Sequence, residues 1–398
     1  MILGDMTTRS TAIRMLRIVA MLLDYVWPKD KRVVIFGSYG GQFAGGNSKP
    51  VFEYLRNNEP ELRCYFLLRE KVDKPGYLHF KPFSLRTLHI LLRAKTLVLT
   101  HTLWDLVYFR PSRRKFIFRL WHGHSGPKAD GYVSKRFTRE NLIDIERNAS
   151  RITKFLATSR INLYFWAYAL LLHPRQLMPL GFPRNDILLR EDRDTKLLGS
   201  LIGELPDDAK VVLYAPTYRT YGETRFFPFD DFVEDKLRDW LDKHNVVLLL
   251  RYHMVDRAPI EESDRIRAFN FNLCPEVNEV LPEVDVLVTD YSSIASDYML
   301  LDRPIIYVAY DKDLFEKYEG FCFGNYEFWT PGPKVLTLHE FLNELELAIA
   351  GQDRFQERRR TVNQLINEYQ TPDSTKQVAE YIVKFLSQKR NPYDRDAI

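Results

Sequence analysis

Two histidines stand where chemistry is easiest to place. His122 closes the run KFIFRLW and is followed by Gly123 and His124, while His253 closes NVVLLLRY two residues after Arg251. Each follows a short apolar run of the kind that forms a buried parallel strand, so each is expected at a strand's carboxyl end. Open α/β sheets bind their ligands there. A histidine that titrates near neutrality can take a proton from a hydroxyl, and an imidazolium or the Arg251 guanidinium can neutralise a phosphate oxygen. A third constellation, Thr289-Asp290-Tyr291-Ser292-Ser293, follows the valine-rich run from Val284 to Val288 and opens a segment with helical spacing at Ile294, Tyr298 and Leu301. Backbone N–H groups and hydroxyls at such a turn favour an anion. Plain helix capping accounts for Ser292, Ser293 and Asp290 equally well.

Other chemistries lack their residues. No acidic pair, HExxH or His/Cys cluster has ligand spacing, so neither a metal nor a cofactor is expected. Cys64, Cys274 and Cys322 are far apart, which argues against a disulfide framework and fits a reducing compartment. The glycines at 40, 41, 45 and 46 follow a strand, yet match neither the dinucleotide fingerprint nor the P-loop. A Gly-x-Ser-x-Gly elbow is missing, so the chain is not read as an α/β-hydrolase. The formal charge of +4 is mild, and no dense basic run with interleaved aromatics marks a nucleic-acid module.

The elements that must carry these residues alternate. Strands are expected at RVVIFGS, CYFLLR, TLVLT, KFIFR and KFLATS, and again at KVVLY, NVVLLL, Arg267 to Leu273, Val284 to Val288 and Ile305 to Val308, with helical segments between them. At 398 residues the chain exceeds one ordinary core. The Pro- and Gly-punctuated stretch LMPLGFPRND is the expected domain boundary. Residues 1–30 form an amphipathic helix with Arg14 and Arg17 among apolar side chains, too short to span a bilayer and suited to its interface. The helix SLRTLHILLRA and the apolar stretch Ile161 to Leu172 are further candidate membrane-facing surfaces.

With these motifs in hand, the chain resembles the CDP-glycerol glycerophosphotransferases, the teichoic-acid primases and polymerases. LWHG, GFPRND, LYAPTYR, LRYH, DVLVTDYSSI, LLDRPIIY and GFCFGNYEFWTPGPKV occur in the family's order between Lys31 and Val335. The resemblance implies a GT-B-like α/β fold: two Rossmann-like domains with parallel sheets facing across a central cleft. Residues 31–180 would form the acceptor domain, 181–373 the nucleotide-donor domain, and 374–398 a C-terminal helix and tail. It further implies transfer of glycerol phosphate or ribitol phosphate from CDP-glycerol or CDP-ribitol to a lipid-linked acceptor at the cytoplasmic face of the membrane. In these roles His122 is the catalytic base and His253 and Arg251 contact the donor phosphates. Thr217, Arg219, Thr289, Asp290, Ser292 and Ser293 make up the donor side. Where the family's motif continues Thr-Pro-Leu-Lys after WHG, this chain has His124, Ser125, Gly126, Pro127 and Lys128, so Gly123 and His124 mark the acceptor side. Two other readings stay open: a nucleotide-sugar glycosyltransferase on the same fold, and a non-catalytic scaffold at the membrane surface.

Overall fold

The computed structural model describes residues 11–79, 84–107, 109–124, 126–136, 138–191, 196–252 and 260–388, with side chains of the first helix described from Ile18 on. His253 and Met254 therefore lie outside the described residues, as do the side chains of Arg14 and Arg17.

Strands β1 (Asp30–Gly37), β2 (Arg63–Leu68), β3 (Tyr77–His79), β4 (Ala94–Leu99), β5 (Phe116–Arg119), β6 (Lys154–Ala157) and β7 (Leu177–Pro179) make one parallel sheet in the order β3-β2-β1-β4-β5-β6-β7. Strands β8 (Lys210–Tyr214), β9 (Val246–Leu250), β10 (Ile266–Ala268), β11 (Val286–Thr289) and β12 (Ile305–Tyr307) make a second parallel sheet, ordered β10-β9-β8-β11-β12. Continuous apolar strands form here because helices cover both faces of each sheet. Val34 and Phe36 pack with Val51, Phe52 and Leu55 on one side of β1, and Val33 and Ile35 pack with Leu91 and Leu97 on the other. In the second sheet Val211, Leu213 and Leu287 face one layer, and Val212, Tyr214 and Val286 the opposite one. The architecture is GT-B-like.

Each sheet reverses its direction of growth once, between β1 and β4 and between β8 and β11. Ligand crevices of doubly wound sheets open at such switch points, outside the strands' carboxyl ends. The glycine-rich loop after β1 and His101 after β4 stand at the first. Thr217 after β8 and the Asp290–Ser293 turn after β11 stand at the second.

Two features depart from expectation. LMPLGFPRND is not wholly a turn, because Leu177–Pro179 adds the seventh strand before the chain leaves the first sheet. Three residues at a sheet edge carry no readable periodicity, and a proline is tolerated there. The C-terminal helix Ser374–Ser387 belongs to the first domain: Val378, Ala379, Ile382 and Leu386 enter that domain's core. The outgoing and returning segments are laced together. Phe182 N–H donates to Gln370 Oε1 at 2.7 Å, and the Ser374 and Thr375 N–H groups donate to Asp186 at 3.1 and 2.8 Å.

The first helix, Thr11–Val26, is pinned by charge rather than by apolar packing alone. Asp24 is buried against Lys29 at 2.6 Å and Lys115 at 3.0 Å, and Lys115 also donates to the Leu91 carbonyl at 2.7 Å. Its outer face leaves Ile18, Val19, Leu22 and Val26 exposed. No helix among the described residues is long and apolar enough to cross a membrane.

Candidate active site

The carboxyl ends of the two sheets enclose a cavity of about 260 Å³ lined by His122, Arg184, Tyr218, Arg251, Ser292 and Ser293, among others. Residues 170 positions apart in sequence thus line one cavity. Gly123 is where the halves meet: a Cβ there would stand 3.0 Å from Ser293 Oγ.

His122 reaches the cavity because the chain turns sharply after β5. Leu120 N–H still pairs with the Leu99 carbonyl at 2.7 Å, and then Trp121 adopts φ +59°. A bulky residue in that region costs about 1–3 kcal/mol, which the surroundings must supply. The Trp121 ring lies under the Arg119 guanidinium at 4.0 Å and against Trp166 at 5.2 Å. Asn47 Nδ2 holds the Leu120 and Trp121 carbonyls at 3.2 and 2.9 Å. The His122 ring stacks on His101 at 4.5 Å, and its Nδ1 is buried with no partner among the described residues. His101 is itself fixed, its Nδ1 accepting from Tyr39 N–H at 3.3 Å and its own N–H donating to Asp105 at 2.6 Å. Burial first, and then the neighbouring His101, Arg184, Arg119 and Arg136, hold the His122 pKa well below the usual histidine value. The ring is therefore neutral at physiological pH, the form a proton acceptor needs. Sequence reading passed over His101. Its signal was positional, one residue past the strand run TLVLT.

The donor-side residues separate into two layers. Ser292 and Ser293 line the cavity, and Ser293 stands at the helix start without capping it, leaving its hydroxyl free of that duty. Thr289, Asp290, Thr217 and Arg219 do not line it. Thr289 Oγ1 donates to the Ala215 carbonyl at 2.7 Å. Asp290 accepts from the Thr217 N–H at 2.9 Å and hydroxyl at 2.6 Å, and pairs with Arg219 at 2.8 Å. Arg219 is 1% exposed and forks onto Asp311 at 2.8 and 2.9 Å. Burial opposes its charge, but Asp290 and Asp311 outweigh burial and raise its pKa. These four residues brace the turn from beneath. The expectation that Arg219 and Asp290 face a donor is corrected to that extent, because each already spends its charge on the other.

Arg251 does reach the cavity, with Nη1 donating to the Cys274 carbonyl at 3.0 Å. Arg184, part of the boundary stretch and of the GFPRND motif but given no site role from the sequence, also lines the cavity. Arg184 Nη1 donates to the His122 carbonyl and Nη2 to Asp297 Oδ2, both at 2.7 Å. Burial works against the Arg184 charge, but Asp297, with Tyr39 and Glu276, more than offsets it and raises its pKa. His124 is not on the acceptor wall. It is 6% exposed, with its ring between Asp297 and Thr158. Among the described residues no three His, Cys, Asp or Glu side chains are grouped to hold a metal ion.

This arrangement can bind an anion between the Arg251 guanidinium, the Arg184 guanidinium that is also paired with Asp297, and two serine hydroxyls, with the His122 imidazole on the opposite wall. Comparison with known proteins agrees in kind. A family model described as CDP-glycerol:poly(glycerophosphate) glycerophosphotransferase matches residues 19–384. The teichoic acid poly(glycerol phosphate) polymerase of Bacillus subtilis (strain 168) is 28% identical over 80% of this chain and 44% of its own length. The teichoic acid ribitol-phosphate primase of Bacillus spizizenii (strain ATCC 23059 / NRRL B-14472 / W23) is 26% identical over 92% of this chain and 94% of its own. The chain thus spans about half the length of the polymerase and nearly all of the primase. Among solved structures, the wall teichoic acid polymerase TagF superposes with a TM-score of 0.80 at 23% identity, covering 94% of both chains, a likeness of fold.

Proposed function

The chain belongs to the CDP-glycerol:poly(glycerophosphate) glycerophosphotransferase family, and from that premise we propose that it transfers an alditol phosphate from a CDP-activated donor to an acceptor hydroxyl. The acceptor oxygen attacks the outer phosphorus in line, the phosphoanhydride bond breaks, and CMP leaves with the bond's electron pair. His122 takes the hydroxyl proton. Ser292, Ser293, Arg251 and Arg184 hold the diphosphate, and His253 adds to that side. Nothing covalent is asked of the protein, so positioning and charge stabilisation carry the rate. The observation behind this reading is the His122 imidazole, its pKa held down by burial, sharing one cavity with the Ser292–Ser293 turn and two guanidiniums.

Curated relatives are named for glycerol phosphate and for ribitol phosphate, which supports reading the donor as CDP-glycerol or CDP-ribitol. Incubation of the full chain with each CDP-alditol and with UDP-sugars, in the presence of a lipid-linked acceptor mixture, tests the assignment. CMP release supports it. UDP release without CMP release replaces it with glycosyl transfer.

The acceptor is read as lipid-linked and the protein as peripheral at the cytoplasmic membrane face. Supporting this, the exposed Ile18, Val19, Leu22 and Val26 stripe ends beside Arg114, whose guanidinium binds the Tyr25 carbonyl, and near Arg110, Arg113 and Arg151. An apolar face rimmed by arginines suits anionic head groups. Tyr164 and Tyr168 form a second exposed aromatic patch. Leu22→Glu with Val26→Glu leaves the buried Asp24–Lys115 anchor in place and should weaken binding to anionic liposomes. Unchanged binding removes the helix from the membrane assignment.

A further inference from the structure

His124 joins three parts of the chain that approach only in the folded molecule. Asp297, on the helix that follows the serine turn, accepts from Asn185 Nδ2 at 2.6 Å and Arg184 Nη2 at 2.7 Å, and its Oδ1 lies 2.9 Å from His124 Nε2. An ionised carboxylate only accepts, so that nitrogen is the donor. On the other side, His124 Nδ1 lies 3.1 Å from Thr158 Oγ1. Thr158 Oγ1 lies 2.9 Å from the Ile366 carbonyl and accepts from Asn162 Nδ2 at 2.9 Å, and Asn162 Nδ2 also donates to the Ile366 carbonyl at 3.1 Å.

The bridge therefore crosses between domains twice. Asp297 and Ile366 belong to the second, and His124 and Thr158 to the first. Its ends also touch the reacting region. Two residues before His124, the His122 carbonyl accepts from Arg184, which is itself on Asp297. One residue before it, Gly123 stands against Ser293.

We propose that His124 is a positioning residue: by bridging Asp297 to Thr158 it sets the distance between the His122 imidazole and the Ser292–Ser293 turn, and with it the alignment of acceptor hydroxyl and donor phosphorus. The bridge stands on its own contacts, and only its consequence for turnover rests on the transfer reading above. The donor's own contacts lie mostly within the second domain, so loss of the bridge spares donor binding and lowers kcat. Misplacement by about 1 Å is enough to cost on the order of 10²-fold.

The test uses the full chain with His124→Ala, His124→Gln and Thr158→Val. CDP affinity is measured by calorimetry, CMP release from CDP-alditol by steady-state kinetics, and backbone hydrogen exchange over residues 120–124 and 292–298. Expected are a kcat loss of about 10–100-fold in His124→Ala with CDP affinity changed by less than about threefold, partial recovery in His124→Gln, which keeps a donor toward Asp297, and faster exchange in both segments. A folded His124→Ala protein with wild-type kcat overturns the proposal, as does a fall in CDP affinity large enough to explain the whole loss. Should His124→Ala not fold, the same criteria apply to His124→Gln and Thr158→Val. Should the wild type release no CMP, the transfer reading fails and exchange alone decides: both segments loosened supports the bridge, unchanged exchange overturns it.

Discussion

The two walls of the cleft are built on opposite principles. On the second domain, the turn after β11 rests on a closed lattice of charge, in which Arg219 is shared between Asp290 and Asp311 and Tyr221 and Tyr291 donate to Asp311 at 2.7 and 3.1 Å. On the first domain, the turn after β5 relies on a positive-φ tryptophan, stacked rings and a histidine nitrogen left without a partner. A lattice in which one guanidinium and several hydroxyl donors hold both carboxylates is stiff and suits hydroxyls that must meet an anion at fixed spacing. A strained turn that buries its imidazole suits a base that must stay neutral until a substrate arrives.

The contrast predicts where each kind of damage should appear. Removing the base is the largest blow: His122→Ala should lower kcat by about 10²–10⁴-fold while the protein keeps its unfolding midpoint and CDP affinity. If the midpoint falls with the rate, the strained turn is a structural element after all. Arg219→Ala should do the reverse. It strands two buried carboxylates, so urea unfolding should show a loss of about 3–5 kcal/mol. A loss below about 1 kcal/mol would mean the lattice is not what stiffens this wall.

Where the walls touch, the effect should be intermediate. Gly123→Ala places a Cβ 3.0 Å from Ser293 Oγ. Roughly 1–3 kcal/mol of crowding should appear as weaker CDP binding and slower turnover together, since the same contact positions both sides. Unchanged kinetics would show that Ser293 can turn aside. The smallest effect is a pH dependence of stability. Burial and nearby cations hold the folded His122 pKa well below its usual 6.5. As pH falls through that value the unfolded chain takes up the proton first, so this contribution to stability is present at neutral pH and declines below about pH 6.5. His122→Leu should flatten that part of the urea-midpoint profile against pH, and an equally steep decline would assign it to other groups.

Much of this was legible in the chain. Apolar runs such as VVIF and VVLLL announce buried parallel strands, and their alternation with helical spacing announces two doubly wound domains. His122, Arg251, Ser292 and Ser293 are site candidates from the sequence because strand ends in such sheets are where ligands bind, and all four line one cavity. His101 and Asp297 have no motif to distinguish them, sitting past a strand and within a short helix, and Arg184 lies in the quoted GFPRND motif with nothing there to assign it a role. Thr217, Arg219 and Asp290 were placed beside the ligand because a charged residue after a strand reads the same whether it faces the cleft or its neighbour.

The sequence by itself determined the local facts: which runs become strands, where the chain must turn, and which strand ends carry a histidine, a guanidinium or paired hydroxyls. Only the tertiary structure decided how those groups divide their hydrogen bonds. His124 meets Asp297 across 173 residues and Arg184 meets it across 113, separations over which periodicity and capping say nothing. A side chain's valence is finite, so a role follows from what remains after its folded neighbours are answered. His122 has its buried Nδ1 without a partner among the described residues, and His124, two residues on, has both of its ring nitrogens engaged.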